Sequence, residues 1–146
     1  MRTLAIDLGT RRVGLALSDQ NARLATPYEV LQITAPAQAI NQILSIIQSE
    51  GVEKLVVGVP LNMDSSIGPA ARSAIEWGRE LSRQSNCPVV FVDERLSSYS
   101  ADQQLNDRKR AGEKLTRKRR KEQLDAVAAA GFLQDYLDHK LTELNL

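Results

Sequence analysis

The stretch Leu4-Ala5-Ile6-Asp7-Leu8-Gly9-Thr10 places one carboxylate inside an otherwise apolar run. Apolar residues at 4, 5, 6 and 8 predict a strand buried on both faces, as in a parallel or mixed sheet covered by helices. An ionised carboxylate in such a strand is costly unless a cation meets it or the site itself uses it. The alternative is an Asp that merely forms the turn ahead of Gly9. The remainder of the chain has to discriminate between the two.

Outward from that strand, Val13-Gly14-Leu15-Ala16-Leu17-Ser18 alternates large and small residues with period two. With the short polar connection Gly9-Thr10-Arg11-Arg12, residues 3–8 and 13–18 are expected to pair as an antiparallel hairpin. A weaker pattern through Tyr28-Glu29-Val30-Leu31-Gln32-Ile33 predicts a third strand whose start Pro27 marks as an edge. Thr34 is expected to cap a helix with apolar positions Ala39, Ile40, Ile43, Leu44 and Ile47, stopped by Gly51. The β-branched run Lys54-Leu55-Val56-Val57-Gly58-Val59 then predicts a parallel strand. A loop from Pro60 to Pro69 is rich in turn residues and includes Asn62 and Asp64; loops at strand ends are where α/β proteins keep their chemistry. A helix through Ala71, Ala74, Ile75, Gly78 and Leu81 follows, then a last strand, Pro88-Val89-Val90-Phe91-Val92, running into Asp93-Glu94-Arg95. Ser97 or Ser98 is expected to cap a short helix to about Leu105. A mobile loop to Lys118 and a long helix to the chain's end complete the reading. The fold class is α/β: one domain over 1–146, with a five-stranded mixed sheet flanked by helices. Its first three strands are antiparallel, and the fourth and fifth run parallel to the first.

At 146 residues the chain can bury a sizeable core without staples. Its one cysteine, Cys87, rules out an internal disulfide framework and a cysteine zinc cluster. No signal-peptide pattern and no apolar run near a membrane span is present, so a cytoplasmic protein with no membrane partner is expected. Charge is distributed unevenly. Nine of the 19 basic residues lie between Arg108 and Lys121: Arg108, Lys109, Arg110, Lys114, Arg117, Lys118, Arg119, Arg120 and Lys121, with Glu113 the only acid among them. The rest carries 17 acids against ten bases, about −7. An acidic body with one basic arm suits a polyanionic partner held beside carboxylates, whereas a solvated loop is the bland alternative.

Three carboxylates stand out: Asp7 in a strand, Asp93 or Glu94 at a strand end, and Asp125 on a helix. Advancing about 100° per residue from Asp125 puts Ala129 at about 40°, Phe132 at about 340° and Tyr136 at about 20°, so Asp125 lies on the buried stripe. The small residues Ala126, Ala128, Ala129, Ala130 and Gly131 let that helix approach the sheet closely. Alternation allows only one of Asp93 and Glu94 to join Asp7 and does not choose between them. With His139 the single histidine, all-oxygen ligation suits Mg²⁺ or Mn²⁺. Carboxylate-held metals can activate water in phosphodiester cleavage, with the 108–121 segment holding the phosphate backbone. Arg95 pairs with the acid left over or contacts phosphate, and Arg11 and Arg12 on the first turn are surface charges or substrate clamps.

Several stretches together carry a family resemblance: Asp7-Leu8-Gly9 with Arg12, Gly14 and Ala16; Gly58-Val59-Pro60-Leu61-Asn62-Met63-Asp64 with Gly68-Pro69; Asp93-Glu94-Arg95-Leu96-Ser97; and Asp125-Ala126-Val127-Ala128-Ala129. In that order they span essentially the whole chain, which closely resembles the YqgF family. The resemblance implies an RNase H-like fold related to Holliday junction resolvases. It also implies a nuclease that processes the 5′ end of pre-16S rRNA, with Asp7, Glu94 and Asp125 as the catalytic, metal-holding acids. Ser65 departs from the glycine usual in the family after Asp64. Two alternatives stand beside this reading: a Holliday junction resolvase acting on branched DNA, which needs a homodimer where RNA trimming needs only a monomer, and a non-catalytic nucleic-acid-binding module.

Overall fold

The computed structural model describes residues 1–96 and 117–146. Five strands, β1 (Thr3–Leu8), β2 (Arg12–Ser18), β3 (Ala25–Gln32), β4 (Lys54–Val59) and β5 (Val89–Asp93), form one sheet in the order β3-β2-β1-β4-β5. β1 and β2 pair antiparallel, as do β2 and β3, while β4 runs parallel to β1 and β5 parallel to β4. This is the expected mixed sheet. The helices are α1 (Ala37–Glu50), α2 (Pro69–Ser85) and α3 (Arg117–Leu137), with a 3-10 turn over Glu94–Leu96.

Strand alternation sorts the side chains into two layers. Leu4 and Ile6 of β1, Leu55 and Val57 of β4 and Phe91 of β5 pack under α1 and α2. Ala5, Ala16, Val56 and Val92 face the other way, against Ala129, Ala130, Phe132 and Leu133 of α3. The sheet residues beneath α3 are the smaller ones, so α3 lies close to the sheet. Phe132 and Leu133 are among its fully buried side chains.

Four local expectations are corrected. β3 begins at Ala25 rather than at Tyr28, with Pro27 inside it opposite Ala16. An irregularity in register between Leu15 and Ala16, together with an edge position, lets a residue without an N–H sit within a strand. Thr34 does not cap α1: the helix begins after Pro36, and the Gln38 side chain accepts hydrogen bonds from the Thr34 N–H (2.8 Å) and hydroxyl (2.9 Å) instead. α2 extends beyond the 71–81 pattern, from Pro69 at its first turn to Ser85. Finally, α3 stops at Leu137. His139 turns left-handed (φ 61°), and the tail folds back so that Leu141 is buried against the α3 layer and the Leu144 N–H donates to the Phe91 carbonyl (2.7 Å). The short helix expected from Ser97 or Ser98 to Leu105, and most of the loop expected after it, lie outside the described residues. Among the described residues no helix is long and apolar enough to cross a membrane.

Candidate active site

Asp7 sits near the end of β1 and, by alternation with Ala5, on the face covered by α3. Its partner across the hairpin is Gly14. A Cβ at Gly14 would lie 2.1 Å from the Asp125 carbonyl oxygen, so α3 rests on β2 in backbone contact there. That seat carries Asp125 to the acidic end of β1. On the other side, a Cβ at Gly58 of β4 would lie 2.9 Å from a Glu94 carboxylate oxygen and 3.0 Å from the Phe132 ring. Two strand glycines therefore clear the recess into which Glu94 and the backbone of Asp125 fit. A glycine inside a strand is a sequence signal for close approach of another group, and read that way Gly14 and Gly58 could have located the recess.

Asp93 and Glu94 part company at the end of β5. Asp93 is buried on the Phe91 side of the strand, and Glu94 continues the Val92 side toward Asp7. Burial raises the Asp7 carboxyl to a pKa of about 8, and the charges of Glu94 and Asp125, then a hydrogen bond with Glu94, push it the same way. Glu94 is raised too, chiefly by burial, with the hydrogen bond from Asp7 working against this and the Asp93 charge adding to it. The pair is two half-buried carboxyls sharing a proton for want of positive charge. Asp125 is within electrostatic reach of Asp7, but its carboxylate is held by Arg12, whose Nε lies 2.6 Å from Oδ2. Among the described residues no three His, Cys, Asp or Glu side chains gather closely enough to cage an ion.

Arg95 forms the ion pair of its two expected readings. Its guanidinium meets both Asp93 oxygens, at 2.7 Å (Nη2) and 3.0 Å (Nε), and holds that carboxyl below the usual range. It also donates to the Asn62 carbonyl and, at 3.1 Å, to the Ser65 hydroxyl. The 62–66 loop is tightened further: the Asp64 carboxylate accepts from the Ser66 N–H (3.0 Å) and hydroxyl (2.5 Å). Ser65 adopts φ 69°, the conformation that glycine takes most cheaply, so serine makes the turn here at the cost of some strain. Asn62 and Asp64 thus shape a loop clasped to Asp93 through Arg95.

Arg11 is exposed on the first turn. With Gly9, Thr10, Arg12 and Asp125 it bounds a cavity of about 200 Å³. Arg117, Lys118, Arg119, Arg120 and Lys121 form the first turns of α3, whereas Arg108, Lys109, Arg110 and Lys114 lie outside the described residues. The Arg12–Asp125 contact joins positions 113 apart in sequence, and no local pattern announces it.

The chain is similar to known proteins in sequence and in fold. A family model described as "RuvX: Holliday junction resolvase" matches residues 1–139. A protein of Acidiphilium cryptum named "Putative pre-16S rRNA nuclease" is 41% identical over 137 residues, 94% of this chain and 84% of its own length. One of the same name from Syntrophomonas wolfei is 41% identical over 94% of each chain. Among solved structures, Thermus thermophilus RuvC superposes with a TM-score of 0.61 at 14% identity, over 99% of this chain and 100% of that one. RuvC of the same organism in complex with a Holliday junction substrate gives 0.60 at 16%, over 99% of both chains. At such identities these two matches show the fold, which is RNase H-like. The two layers, the strand order and the sequence match converge: the chain belongs to the RuvX (YqgF) family of resolvase-type nucleases.

Proposed function

We propose that this chain is a metal-dependent endonuclease that hydrolyses phosphodiester bonds in precursor 16S rRNA at the 5′ end. The reading rests on one observation above all: the Asp7 and Glu94 carboxyls are hydrogen-bonded to each other on the sheet face covered by α3, with Asp125 in electrostatic reach. Support for the RNA substrate comes from the relatives named as pre-16S rRNA nucleases, which this chain matches over 94% of its length.

The residues fit a hard divalent cation, Mg²⁺ or Mn²⁺. All candidate donors are carboxylate oxygens, and the proton held between Asp7 and Glu94 marks where positive charge is lacking. Asp7, Glu94 and Asp125 would hold it. Bound there, such an ion supplies charge to the phosphoryl oxygens and lowers the pKa of the attacking water. Asp7, on a strand paired on both sides, would hold that ion at a fixed position relative to the sheet. Glu94 and the Phe132 ring both lie over the space that Gly58 leaves open. The basic residues of the 108–121 segment, with Arg11 and Arg12, hold the phosphate backbone and confer affinity with little base reading.

The family model's description favours a second reading, cleavage of branched DNA. Purified precursor rRNA and a four-way DNA junction, offered side by side with Mg²⁺ or Mn²⁺ titrated, separate the two. The expected outcome is RNA cleavage by the wild type and none by Asp7→Asn, which still folds and binds RNA. Cutting of the junction alone reverses the substrate assignment, and full activity in Asp7→Asn removes the site. RNA binding without cleavage at any metal concentration supports a binding module instead.

A further inference from the structure

The contact between Arg12 and Asp125 uses little of what a guanidinium offers. Only Nε hydrogen-bonds the carboxylate, and among the described residues the two terminal nitrogens of Arg12 form no hydrogen bond. Both side chains are about one-third exposed, at 32% and 28%. An ion pair this open is exchangeable, because water screens it and either partner can turn away. Beside it lies the cavity of about 200 Å³ bounded by Gly9, Thr10, Arg11, Arg12 and Asp125. Its walls bring two arginines, a hydroxyl and the turn backbone to a single space, donors that suit a phosphate. Among the described residues its one acid is Asp125. A phosphate entering there offers Arg12 two oxygens in the geometry its fork prefers, where Asp125 now engages one nitrogen.

We propose that Arg12 is an exchangeable counterion: a nucleic-acid phosphate in the 9–12 pocket takes the guanidinium from Asp125 and frees that carboxylate to join Asp7 and Glu94 around the divalent cation. Substrate and metal then bind cooperatively, and the free enzyme rests with an incomplete metal site. This explains why the third acid lies near Asp7 while no three acids close up among the described residues. Arg12 is thus a positioning residue that acts through Asp125. The inference rests on the metal-dependent reading above, and the following test distinguishes failure of one from failure of the other.

Free Mn²⁺ is titrated by electron paramagnetic resonance against the full chain, with and without a 12-nucleotide phosphorothioate RNA, after subtracting Mn²⁺ bound by the RNA alone. In the wild type the RNA should tighten Mn²⁺ binding about tenfold, a typical coupling between sites. Arg12→Gln should bind Mn²⁺ tighter than the wild type without RNA, and its gain on adding RNA should shrink below about twofold. Arg12→Lys, which keeps the charge but loses the fork, should show an intermediate gain, and it carries the test if the glutamine variant does not fold. An RNA-dependent gain equal to the wild type's in the folded variants overturns the exchange and leaves the metal reading standing. Mn²⁺ binding unchanged by Asp7→Asn overturns both.

Discussion

Asp7 keeps its proton to about pH 8 in the native protein, whereas the ordinary value for the group is 3.8. Between those values the native state binds more protons than the unfolded chain, so stability falls as pH rises across the window. Glu94 is shifted in the same direction and adds to the slope. In EDTA, thermal melting should therefore occur at a lower temperature at pH 8 than at pH 5, and Asp7→Asn should flatten that difference. Equal slopes for the two proteins would falsify the assignment. Mn²⁺ should raise the wild-type midpoint at pH 8 and leave the variant's nearly unmoved, since an ion stabilises only a state that binds it. Asp93 and Glu94 are neighbours with opposite duties. Glu94→Gln should abolish cleavage with the fold intact, while Asp93→Asn unclasps Arg95 and should cost about 1–3 kcal/mol of stability in urea unfolding.

At the level of elements, α3 is positioned by what β2 and β4 lack. Gly14→Ala drives a Cβ into the Asp125 carbonyl, and two backbones cannot yield as a side chain does. A loss of about 3 kcal/mol or more is expected, read as a fall in the denaturant midpoint. Gly58→Ala meets a carboxylate and a ring, which can shift. Its expected signature is a larger loss in cleavage rate than in stability, because Glu94 is displaced. The sheet was legible in the sequence because apolar runs of period two and helices of period 3.6 alternate along the chain, and Asp125's phase placed it on the buried stripe of α3. Other features depend on contacts that local pattern does not carry. Thr34 has a capping residue's chemistry, but Gln38 takes its hydrogen bonds. Asp93 and Glu94 could not be told apart by alternation without a reference face, and the small residues Ala5, Gly14, Ala16 and Gly58 supply that reference once they are read as the floor under a close helix.

Across the whole molecule, charge is segregated: nine basic residues in the 108–121 segment stand against a body of about −7. Nucleic-acid binding should weaken steeply with salt. Neutralising five of those bases, Arg117 to Lys121, should lower the slope of log affinity against log salt by about 3.5 for single-stranded RNA, at roughly 0.7 per phosphate contact. A slope unchanged by the substitutions would assign the contacts elsewhere. The tail beyond α3 has a consequence at this scale. At Phe91 its backbone occupies the outer side of β5, while the opposite margin of the sheet, β3, carries Pro27 and a break in register. Both borders that could recruit a foreign strand are thereby blunted. Two copies joined by extending one sheet into the next would first have to peel away the tail on one side or accommodate a proline on the other, so self-association is steered toward the helical faces and loops.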